Sequence, residues 1–195
     1  MLPGISSYDP MRWTATINSG GELPLPARQR LYESIAGSGA QAEAFMSSLS
    51  LLCAQRAWPT WLAVFPGESA PMSLADLAVS EQLAPGRSAA LTRGLWEVRG
   101  YLDDKYSLGE KAFTAIYAGF ACWAVARDIA AGQRRNAEPV SEIELEPDDW
   151  EPCFFAPLAT AGGALWEADV DNRARREFWH WFLASAVPLA AESVS

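Results

Sequence analysis

His180 is the single histidine of the chain, so any imidazole base or histidine metal ligand has to be this residue. A zinc site built on it would need thiolates from Cys53, Cys122 and Cys153, which lie far apart and show no CxxC spacing. His180 stands three and four positions from Glu177 and Arg176 in a helical stretch, which points to the polar face of that helix. Cys153 could pair with His180 only if the fold joined them, and the apolar setting of all three cysteines reads as buried, reduced, structural thiols. Gly20-Gly21 and Gly162-Gly163 lack the GxGxxG or GxxxxGK frame of a phosphate loop and read as turn or packing glycines. There is no GxSxG and no HExxH. These residues imply a protein without a catalytic centre, metal or cofactor of its own.

Carboxylates are the densest reactive groups. Between Glu138 and Glu151 there are seven acids and no lysine or arginine, leaving −2 of the −9 net charge for the rest of the chain. The pairs Asp148-Asp149 and Glu144/Glu146 have the composition of an acid–base pair or a divalent-cation site. Alternation of Glu142, Glu144 and Glu146 with Ile143 and Leu145 instead predicts an extended strip with its acids on one side. On that reading Glu142, Glu144, Glu146, Asp148 and Asp149 form a binding surface with Trp150 as apolar anchor. Two other readings stay open: a solvated charge run, and a structural strip neutralised by Arg173, Arg175 and Arg176.

The elements that would position this strip are helical. Apolar residues at i, i+3, i+4 and i+7 predict a helix over 41–56, interrupted at Pro59, with a short further turn before Pro66-Gly67. Ser73 as N-cap opens another to about Leu83, closed by Pro85-Gly86, and a third runs from about Arg87 to Lys105. Ser107 and Glu110 read as a capping box for a helix to Ala131, which is apolar all round and has one small-residue face, as the buried centre of a bundle would. Further helices are expected from about Cys153 to Trp166 and from Asp171 to Val187, the last ended by Pro188. Residues 1–23 read as an irregular lead-in and 133–151 as an acidic connecting segment. The expectation is a single all-α domain over 1–195, a compact bundle of about six or seven helices. Trp58, Trp61, Trp166, Trp179 and Trp181 read mainly as core packing, although a Trp-lined pocket would make the chain a small-ligand-binding domain or an enzyme.

The composition narrows the partners. A net charge of −9 repels a phosphate backbone and favours a basic protein partner over nucleic acid. The longest apolar run, Ala112–Ala126, falls short of the roughly 20 residues a bilayer requires, and the opening residues do not resemble a secretory signal. A soluble cytoplasmic protein is expected.

Three stretches also carry a resemblance: DPMRWTATINSGGELPLPARQRLYESI at 9–35, AQRAWPTWLAVFPG at 54–67 and LATAGGALWEADVDNRARREFWHWFLASAVPLA at 158–190. The chain resembles an all-α immunity protein family encoded beside bacterial polymorphic toxins, and the likeness spans most of its length. The ending is the most specific part, with Gly162-Gly163, Trp166, Asn172-Arg173, Arg175-Arg176 and Phe178-Trp179-His180-Trp181. The resemblance implies a protein that binds and silences a cognate toxin domain in the cytoplasm. It assigns no contact residues, so the acidic strip remains a candidate on its own chemistry.

Overall fold

The computed structural model describes residues 2–82, 88–132, 141–164, 166, 167 and 169–194. Among these there is no strand, and the fold is all-α. Seven helices reach ten residues or more: α2 (Leu25–Ala36), α3 (Ala40–Val64), α4 (Ala70–Glu81), α5 (Ala89–Tyr106), α6 (Phe113–Ala131), α7 (Pro152–Ala161) and α8 (Asn172–Trp181). A short α1 (Pro10–Thr14) precedes them and α9 (Val187–Ser193) ends the chain.

The helix predicted to be central is central. α6 packs against α3, α4, α5 and α7, and its residues from Ala115 to Ala126 are all buried. Its small face lets neighbours approach closely: a Cβ on Gly119 would sit 2.8 Å from the Trp61 ring and 2.5 Å from Leu102. Fully buried Trp61 of α3 and Leu102 of α5 meet α6 there. α7 joins this core to α3 and α8.

Several boundaries differ from the sequence expectation. Pro59 does not interrupt α3, which runs on to Val64. Its ring lies on the exposed side, where the carbonyl that loses its helical donor can turn to water while α6 and α7 hold the helix. Pro188 likewise does not end the last helix, because a π-turn over Phe182–Ala186 inserts between α8 and α9 and resets the ladder before the proline, which falls in the first turn of α9. α4 starts earlier than predicted, with Ser69 at its N-cap position and Pro71 in its first turn. Ser107 does not cap the central helix; it bonds back to the Asp104 carbonyl, and a 3-10 turn over Glu110–Ala112 leads in. α7 stops at Ala161 because Gly162 and Gly163 both take positive φ, as turn glycines do. The lead-in is more ordered than expected, with a 3-10 turn at Ile5–Ser7 and α1 capped by the Asp9 carboxylate. Arg87, Pro85-Gly86, Leu83 and Glu138 lie outside the described residues.

Candidate functional site

The acidic segment is not an extended strip. Glu142–Glu144 forms a 3-10 turn closed by a Ser141/Glu144 capping box, and Pro147–Asp149 forms a second turn. Two short turns break the alternation that would have put every acid on one side, because a 3-10 turn repeats every three residues. Glu142 is buried and Ile143 is 66% exposed, the reverse of the expected arrangement. Trp150 is buried too, donating its indole N–H to the Glu142 carbonyl at 3.0 Å and packing edge-on against Phe154. Glu144, Glu146, Asp148 and Asp149 remain exposed.

Three arginines hold this segment, none of them from the 173–176 cluster. Arg28 of α2, fully buried, pairs with Glu142 and, at 3.2 Å, with Glu151. Arg127 of α6 donates to the backbone carbonyls of Asp148 and Trp150. Arg99 of α5 pairs with Asp148 and with Asp103, while its guanidinium lies 5.3 Å from the Phe120 and Trp123 ring centres. Arg173 instead pairs with Glu177, Arg176 reaches the carbonyls of Asn18 and Ser19, and Arg175 is buried against Glu22 and the Gly163 carbonyl. Arg175 and Arg176 tie α8 to the lead-in and Arg173 pairs within α8, so none of the three neutralises the strip; Arg28 and Arg99 pair with its acids, and Arg127 holds its backbone.

Arg28 and Arg175 share one buried cluster with three carboxylates. Glu22 lies 3.6 Å from Arg28 and 3.0 Å from Arg175. Burial pushes its carboxyl up to about 7 against the pull of both arginines. With Glu142 and Glu151 also present, two guanidinium charges are balanced by two carboxylates, so the third retains its proton most easily.

Between the Glu146–Trp150 stretch and α5 opens a cleft of about 740 Å³. Tyr106, Tyr117, Phe120, Trp150 and Phe155 form its aromatic lining, with Phe120 and Phe155 stacked at 5.6 Å. Among the described residues Asp103, Glu146, Asp148 and Asp149 outnumber the one cation, Arg99, along it. Tyr117 donates to Glu167 at 2.9 Å, and burial raises the Tyr106 phenol above its ordinary range, with Glu167 and Asp103 adding to the effect.

The other chemical candidates do not line it. His180 is exposed on α8, and Cys153 is buried beside Cys53, a neighbour that raises the Cys53 thiol further after burial itself. Trp61 and Trp179 are fully buried, and Trp58 stacks on Trp61 at 5.7 Å, so these indoles are core packing. Among the described residues no cluster of His, Cys, Asp and Glu could hold a metal ion, and no helix is long and apolar enough to cross a membrane. Sequence reasoning missed α5 as a wall of the site. Its signal was present in Trp96, Arg99, Asp103 and Tyr106, whose spacing of three, seven and ten places them on one helical face.

The fold is all-α with a held acidic wall beside an aromatic cleft, and the comparison of the sequence with known families gives its class. Residues 11–189 match the family described as immunity protein Imm5, and the chain belongs to that family. No curated protein matches it.

Proposed function

We infer that this immunity protein binds a cognate polymorphic toxin domain in the cytoplasm and neutralises it one-to-one, without catalysis, by covering a basic toxin surface. Family membership supports toxin immunity in general. The observation that carries the particular reading is the acidic segment, whose Glu144, Glu146, Asp148 and Asp149 stay in solvent although the backbone beneath them is fixed. A dense, ordered negative surface steers a basic partner and sets its orientation. Glu142 and Trp150, buried as they are, contribute by shaping the surface.

The test is calorimetry with the toxin domain encoded beside this chain, at low and high salt. Wild-type protein is expected to bind one-to-one, with affinity falling as salt rises. Changing Glu144, Glu146, Asp148 and Asp149 together to amides should weaken binding and flatten the salt dependence. An unchanged affinity and slope would remove the acidic surface from the interface, and absence of wild-type binding would remove this toxin as the partner.

A further inference from the structure

We propose that the cleft between α5 and Glu146–Trp150 is the socket of the interface, taking an arginine or lysine side chain of the partner, with Trp96 at its rim as the apolar anchor. The inference rests on the protein-binding reading above and names the surface and the group it receives.

Trp96 is 78% exposed, more than any other large apolar residue described. A free indole of this size in water is unfavourable by its apolar area alone and is the side chain most enriched at binding hot spots. It does not stand in isolation: it continues by one turn the α5 face that carries Arg99, Asp103 and Tyr106 into the cleft. Tyr106 adds a second aromatic that is 40% exposed on the same wall.

The occupant follows from charge and shape. The lining combines aromatic faces with acids, the pairing that holds a guanidinium or ammonium by stacking and ion pairing together. The cleft already displays this chemistry once, in Arg99, stacked near Phe120 and Trp123 and bound by Asp103 and Asp148. Among the described residues Glu146 and Asp149 make no ion pair, which leaves two carboxylates on the opposite wall for a second cation. An anionic or purely apolar occupant would leave those acids facing it uncompensated.

The experiment measures binding of the neighbouring toxin domain to Trp96→Ala and Asp103→Asn, with Leu189→Ala, an exposed α9 residue, as control. Trp96→Ala should weaken binding about 30-fold, the loss typical of a hot-spot aromatic. Asp103→Asn should also weaken it and lower its salt dependence, while the control binds as wild type. Wild-type affinity in either cleft variant overturns the socket and leaves the toxin-binding reading standing. If wild-type protein binds no toxin, that reading fails, and the socket is decided by NMR titration with a blocked arginine peptide against its norleucine counterpart. Saturable shifts of the Trp96 indole and Tyr106 with arginine alone support it, and no difference between the two peptides overturns it.

Discussion

Arg28 is surrounded by Glu22, Glu142 and Glu151, and its ring neighbours Phe154 and Trp179 lie 5.7 and 5.2 Å away. Removing one member of such a buried group strands the others without a counter-charge, which costs about 3–5 kcal/mol. Arg28→Met is therefore expected to destabilise by that amount in urea titration, whereas Arg173→Ala, at a solvent-exposed pair, should leave the midpoint unchanged. Glu22 makes a second prediction. Its folded carboxyl titrates near 7 instead of 4.5, so the native state holds a proton that the unfolded chain has released between those values. Its contribution to stability is complete below about 4.5 and falls as pH rises through 7. Asp128, raised by burial to about 6, adds the same sign at lower pH. Stability measured from pH 5 to 7.5 should decline, and Glu22→Gln should flatten the upper part of that decline.

At the scale of elements, the helices were legible wherever packing surrounds them with apolar residues, as in α3 and α6. α2 gave no comparable signal, because two prolines stand at its entrance and the buried face includes Arg28. Neither Pro59 nor Pro188 ends a helix: one is exposed on a helix held from the other side, and the other follows a π-turn, which a helical period of 3.6 cannot reveal. The acidic segment was legible as a location. Its form was not, since the partners that bury Glu142 and fix Asp148 lie at Arg28 and Arg99, distant in sequence. Two glycines test the packing argument directly. Gly119→Ala should lower stability by about 1 kcal/mol or more, the cost of overpacking against Trp61 exceeding the gain in helix propensity. Gly100→Ala, where an added Cβ meets nothing within 4 Å, should raise the melting temperature.

For the whole molecule, the net charge of −9 gives an attractive field toward a basic partner, and the arginines beneath the acidic segment decide what that attraction leads to. Arg127 lies on the protein side of the wall, holding the carbonyls of Asp148 and Trp150. Arg127→Met makes the molecule more negative, so if the toxin surface is basic, as proposed, encounter with it should quicken, measured as a higher association rate at low salt. The same change releases the backbone under the wall, and dissociation should accelerate by more, so that net affinity falls. A lower association rate with unchanged dissociation would contradict this division. Ordering a free backbone costs about 1–2 kcal/mol per residue. A segment anchored on three helices meets that cost during folding, so on the proposed reading a toxin would meet a rigid template that spends none of its binding free energy on being shaped.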